Sequence, residues 1–149
     1  MPATAWWLLA LPFIAGSFLP LQAGINGQLS RQIASVTGAA LISFAIGTLA
    51  LLALVIAQRE LPTMQALREL SWWHWSGGLL GAFFITTAAF AGPRIGALLF
   101  MALALAGQLA MATLLDHFGW AGFRQSAVSL SKIAGLLLIF GGVWLINRG

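Results

Sequence analysis

The chain contains no cysteine. Disulfides, thiolate metal sites and cysteine nucleophiles are therefore excluded. Charge is also scarce: Asp, Glu, Lys and Arg make up 7% of the 149 residues, against about 25% in a typical soluble domain. A chain with so little polar surface cannot face water on all sides. No nucleophile–base spacing and no phosphate-binding loop occurs, so no catalytic residues and no enzymatic activity are expected. His74 and His117 stand alone, without the acid or thiol cluster that a metal site needs. Neither a metal nor a cofactor is expected.

Apolar sequence fills the space left by these absences. Hydrophobic residues account for 60% of the chain and mean hydropathy is +0.96. This is the composition of an integral membrane protein. The calculated pI of 11.7 rests on seven basic residues against three acids. Those basic residues are scattered singly, whereas a nucleic-acid binder clusters them on one face. They read as helix-end anchors facing headgroups and water, and no nucleic-acid partner is expected.

A transmembrane helix needs about 20 mostly apolar residues. Five stretches meet that need: about Ala5 to Leu29, Thr37 to Ala57, Trp73 to Ala91, Ile95 to Leu115 and Leu130 to Ile146. They are continuously apolar, without the alternation of a membrane β-barrel. The expected fold is an all-α membrane protein, one five-helix transmembrane domain over residues 1–149, with no soluble domain and no long linker. The first residues, MPATAWWLLALPF, carry no basic segment and run on into apolar sequence. They are expected to form a retained span, not a cleaved signal. Trp6, Trp7, Trp72, Trp73, Trp75, Trp120 and Trp144 mark span ends, since indole favours the headgroup level. Pro93 and Arg94 are expected to form a very short turn between the third and fourth spans.

Five spans put the two termini on opposite sides of the membrane. Arg59, Arg68, Arg124 and Lys132 then fall on the N-terminal side, and Arg31, Arg94 and Arg148 on the other. Four against three is too small a bias to fix one orientation by the positive-inside rule. Dual insertion follows as an expectation, and with it a subunit that pairs with an inverted copy of itself.

Small residues recur at the spacing that lets helices approach closely in lipid. They include Gly77, Gly81, Ala82 and Thr86 in the third span and Ala102, Ala106 and Ala110 in the fourth, with Gly107 beside them. Ala39, Ser43 and Gly47 mark the second span, and Gly135, Gly141 and Gly142 the fifth. Together they predict a compact polytopic bundle.

The first span differs from the rest. It reads LPFIAGSFLPLQAGINGQLSR, with prolines, glycines and amides interrupting the apolar run. Pro20 lacks an N–H and clashes with the carbonyl of Gly16, which predicts a kink. A carbonyl freed within the bilayer needs a partner from protein, water or ligand. Gln22 and Asn26 are four apart and share a helix face, which should point into the bundle. Two roles remain open for them: hydrogen-bonding glue between helices, or the lining of a substrate cavity near the midplane. Gln108, on one face with Ala104 and Ala112, carries the same two alternatives.

The three acids, Glu60, Glu69 and Asp116, all sit at span ends or in loops. A proton-coupled cation exporter usually needs a carboxylate deep in the membrane. Its absence favours neutral, zwitterionic or anionic substrates, or cations held by aromatic rings. Asp116 and His117 directly follow the fourth span. They read either as a polar helix exit or as a gate or proton relay, since histidine titrates near neutral pH. His74, among the tryptophans, reads as an interfacial residue.

LQAGINGQL in the first span, SFAIGTLALL in the second, WWHWSGGLLGAFF entering the third and GQLAMATLLDHFGW ending the fourth resemble the YdcZ-like family. That family is the five-helix bacterial branch of the drug/metabolite transporter superfamily, and the resemblance covers nearly the whole chain. It implies a half-transporter in the bacterial inner (plasma) membrane. Two five-helix subunits would pair antiparallel into a ten-helix drug/metabolite-transporter-like bundle, as a homodimer or with an opposite-orientation homologue. The implied activity is secondary transport of a small polar solute or metabolite by alternating access. On this sequence the matching positions are Gln22, Asn26, Gln108 and Asp116. Gln22, Asn26 and Gln108 are the candidate substrate-binding residues, and Pro20, Gly24, Gly27, Asp116 and His117 the candidate gating or coupling residues. Two alternative functions are a non-transporting subunit of a larger complex and a lipid-carrier flippase.

Overall fold

The computed structural model describes residues 6–149, and side chains from Ala10 onward. The expected starting residue Ala5 and the side chains of Trp6 and Trp7 lie outside the described residues. The chain forms two compact units, one ending at Arg94 and the other comprising Ile95–Gly149. Every regular element among the described residues is helical.

The first unit holds α1 (Trp6–Gln32), α2 (Val36–Gln58), the short α3 (Met64–Arg68), a 3-10 turn at Trp72–Trp75 and all but the last residue of α4 (Ser76–Ile95). The second holds α5 (Ala97–Phe118), a 3-10 turn at Trp120–Gly122 and α6 (Leu130–Ile146). Val36–Gln58, Trp72–Ile95 and Ala97–Phe118 are long and apolar enough to cross a membrane, and α6 is apolar but shorter, at 17 residues. At 1.5 Å per residue α6 spans about 26 Å, a little under the hydrocarbon thickness of about 30 Å. The chain is thus a multi-pass membrane protein.

Local chemistry sets the ends. Ser35 caps α2, its Oγ accepting from the Gly38 N–H at 3.0 Å, and Ser129 caps α6 in the same way from Lys132 at 3.3 Å. Each cap satisfies one of the free N–H groups at a helix start. Helix α5 ends at Gly119, which is left-handed with φ +67°, the usual glycine stop.

Two span limits differ from the sequence expectation. Pro93 and Arg94 do not form the turn between the third and fourth spans; both lie inside α4. The break comes at Gly96, with φ 86° and ψ 150°, a conformation essentially reserved for glycine. Pro93 sits in the last turn of α4, two residues before its end, and its ring packs closely over Gly27 of α1. A Cβ added at Gly27 would come within 2.6 Å of Pro93 Cγ. The second difference concerns Asp116 and His117. They do not follow the fourth span but form part of the last turns of α5, which runs to Phe118. Nothing in that dipeptide breaks a helix, and the stop waits for Gly119. Helix α1 also runs unbroken through Pro12 and Pro20.

The core is made of small residues. Ala23, Ala39, Ala40, Ala88 and Ala89 are buried, as are Gly27 and Gly92, while Leu, Ile and Phe side chains largely face outward. Lipid replaces the missing core, since there is no hydrophobic drive between helices in a bilayer and close backbone approach takes its place. The third span follows the expectation in part. Gly81 lies close to Phe44, 3.3 Å from an added Cβ, and Ala82 and Thr86 are half-buried beside it, whereas Gly77 and Gly78 meet nothing within 4 Å among the described residues. The buried face of α4 continues at Ile85, Ala88, Ala89 and Gly92. In α5, Ala106 is buried and Ala102 and Ala110 are half-buried, along the expected stripe.

Glycine substitutions separate close approach from open space. Gly27→Ala should destabilise the solubilised protein by about 1–3 kcal/mol through overpacking against the rigid Pro93 ring. Gly24→Ala, with nothing within 4 Å of the new methyl, should be neutral or stabilising by up to about 1 kcal/mol. Equal unfolding midpoints for the two variants would contradict the close approach. Gly96→Ala should lose about 1–3 kcal/mol through backbone strain alone, read from the same unfolding curves.

Candidate functional site

The polar residues of α1 lie at a spacing of four: Gln22, Asn26 and Ser30. Their environments differ. Asn26 is 3% exposed, and its Nδ2 has no hydrogen-bond partner. Ser30 is buried and donates its hydroxyl to the Gly27 carbonyl at 2.9 Å. Gln22 is exposed at the mouth of two adjoining grooves. A buried amide with no partner costs about 1–3 kcal/mol, so the Asn26 position is expensive unless something occupies the groove.

The first groove, about 270 Å³, is lined by Gln22, Ser43, Phe44, Gly47, Thr48, Leu51 and Ile85. The second, about 390 Å³, brings Gln22 and Asn26 together with Ser43 under the apolar side chains of Phe18, Leu19 and Ile25. Gln22, Asn26 and Ser43 make no side-chain hydrogen bond among the described residues. An amide donor, a second amide and a hydroxyl are thus uncommitted around one apolar recess. Such an arrangement can bind a small solute that offers acceptor oxygens, with the apolar wall excluding water. Ser43 belongs to this group although its sequence signal pointed only to helix packing. Its sole distinguishing mark was a hydroxyl in an apolar run.

The other sequence candidates occupy different settings. Pro20 is half-buried, Gly24 is exposed with open space at its Cα, and Gly27 is buried against Pro93. Gln108 is exposed on α5, with Ala104 half-buried on the same face. Asp116 and His117, also in the second unit, anchor the loop that follows them. The Asp116 carbonyl accepts from the Ser126 N–H at 2.7 Å, and the His117 carbonyl accepts from Gln125 Nε2 at 3.2 Å. His117 Nδ1 accepts from the Val128 N–H at 3.4 Å, which leaves the ring proton on Nε2 in the neutral form. Lys132 closes the same loop by donating to Ser126 and Ala127. His74 stacks on Trp73 at 3.9 Å and bonds the Ser71 carbonyl, as an interfacial residue should.

The comparisons with known proteins point one way. The family model described as "Putative inner membrane exporter, YdcZ" matches residues 6–145. "Inner membrane protein YdcZ" of Escherichia coli (strain K12) is 25% identical over 141 residues, covering 94% of each chain. No solved structure matches the chain. A match across all the long helices, on a chain whose helices are built for a bilayer, carries the assignment: the protein belongs to the YdcZ family of the drug/metabolite transporter superfamily.

Proposed function

We propose that the chain is a secondary transporter of small polar solutes in the bacterial inner membrane. It acts as an antiparallel homodimer of dual-topology five-helix subunits, by alternating access. The observation that carries this reading is the buried, unpartnered Asn26 amide beside the uncommitted Gln22 and Ser43. Interhelical glue would have spent these groups on neighbouring helices. A solute oxygen arriving in the groove supplies the acceptor that Nδ2 lacks. Gln22 and Asn26 then hold the solute, and Gln108 is a further candidate substrate-binding residue, on α5. Pro20, Gly24 and Gly27 let α1 change shape between the two access states, and Asp116 and His117 act at the loop that gates them. No enzymatic step belongs to this reading. Acids are absent from the groove lining, which favours neutral, zwitterionic or anionic solutes.

The inverted pairing is supported by the near-even distribution of basic residues and by the family. The relative's printed description as an inner membrane protein supports the compartment.

Replacing Asn26 by leucine distinguishes a binding role from a structural one. The substitution removes an unpaired buried amide at similar volume, so Asn26→Leu should stabilise the solubilised protein by about 1–3 kcal/mol. The Gln22→Leu/Asn26→Leu double variant should abolish uptake in a proteoliposome screen of labelled metabolites while still extracting as a dimer. Unimpaired transport in the double variant removes the site assignment. Orientation is tested separately on the cysteine-free background. Gln65→Cys and Asn147→Cys should each label from both sides of the membrane; one-sided labelling would end the dual-topology reading.

A further inference from the structure

A third recess, a cavity of about 360 Å³, lies in the first unit, at the α1–α2 turn and the end of α4. Its charged lining is entirely cationic: Arg31 and Arg94 both border it, with Ser30, Ser35 and the start of α2 at Val36, and no acid. Two guanidiniums on one cavity without an acid give it a positive field that favours an anionic occupant. Three further features suit an oxyanion. Helix α2 is 23 residues long and begins at the cavity, where Ser35 and Val36 line it, so the positive end of its dipole lies beside the site. Ser35 Oγ already accepts from Gly38, which leaves its own O–H free to donate. Arg31 makes no ion pair, hydrogen bond or ring contact among the described residues.

The competing account is that both arginines simply neutralise helix C-termini. It fits Arg94, which donates to the Phe90 carbonyl and lies over the Phe90 ring, 3.8 Å from its centroid. It does not account for Arg31, which bonds none of the carbonyls at the end of α1. We infer that this cavity binds a phosphate-type oxyanion between the Arg31 and Arg94 guanidiniums and the N-terminus of α2. Guanidinium groups suit such a ligand because their paired N–H donors match its oxygens. The oxyanion is either a free phosphate group or the headgroup of an anionic lipid at the membrane face. The inference stands apart from the transport reading, since it uses none of the groove residues.

The test uses the full chain in an uncharged detergent, with tryptophan fluorescence following thermal unfolding. Inorganic phosphate is one probe, and short-chain phosphatidylglycerol, compared with phosphatidylcholine, is the other. At least one probe should raise the unfolding midpoint saturably, and added sodium chloride should weaken the effect. Arg31→Gln should lower the apparent affinity at least ~10-fold, because a charge-assisted contact is lost. Arg31→Lys should retain part of it, and Arg68→Gln, away from the cavity, should match the wild type. Saturation by phosphate assigns a free anion, and saturation by phosphatidylglycerol alone assigns a lipid headgroup. Arg94→Gln should behave like Arg31→Gln; if it fails to fold, Arg31→Gln alone decides. Absence of saturation with both probes, or wild-type affinity in Arg31→Gln, overturns the proposal.

Discussion

The first unit is organised around the place where the Pro93 ring fits over Gly27. A methyl at Gly27 would approach Pro93 Cγ to 2.6 Å, so only glycine allows the contact. The fit draws the end of α4 onto α1, with Ala23 and Gly92 buried nearby. Two consequences follow. Arg94 is carried to the cavity that also holds Arg31. Asn26, the residue before Gly27, is buried beside the groove at 3% exposure, so its unpartnered amide is a cost that a ligand in the proposed site would offset.

The bilayer explains why such small contacts carry so much. With lipid as solvent, a helix gains little by burying leucine against leucine. Buried residues in this chain are accordingly alanine, glycine and a few larger side chains, while Phe13, Phe83 and Leu138 face outward. What distinguishes one helix face from another is then backbone proximity and polar satisfaction, not apolar area. A single proline against a single glycine can fix a register that a soluble bundle would set with a whole row of side chains.

The long helices were legible because continuous hydropathy is a strong signal. The fifth apolar stretch coincides with the helix α6 residue for residue, and the other stretches fall on helices within a few positions, three of them long and apolar enough to cross a membrane. What was not legible was where tertiary context overrides a local rule. Pro93 and Arg94 look like a turn in isolation, but the helix ends only at Gly96, and the packing of the Pro93 ring over Gly27, far away in sequence, could not be read from local pattern. The packing face of α4 was read from its densest glycines, Gly77 and Gly81; Gly81 does pack on Phe44, but burial follows what lies opposite, and no described residue lies opposite Gly77. Within the site, the shared face of Gln22 and Asn26 followed from their spacing, while their lack of partners could only come from three dimensions. Arginines at helix ends look alike in sequence. Arg31 stands out only once the cavity and the start of α2 are seen around it.

The polar residues of α1 join the two recesses. Gln22, Asn26 and Ser30 succeed one another every four residues, so they trace a nearly straight line along the helix. Gln22 and Asn26 border the groove, and Ser30 borders the cationic cavity. One helix face thus leads from the membrane-end cavity, rich in positive charge, to uncommitted amides further in. A solute carrying a carboxylate or phosphate would meet charge first and neutral hydrogen-bonding groups second. That order suits passage, because a deep cationic site would hold an anion too tightly to release it, whereas amides bind without a full charge. In the inverted pair proposed above, the same line on the second subunit runs the opposite way. Each membrane face would then have one cationic entrance and one amide-lined interior, so the pair needs no separate machinery for the two directions of access.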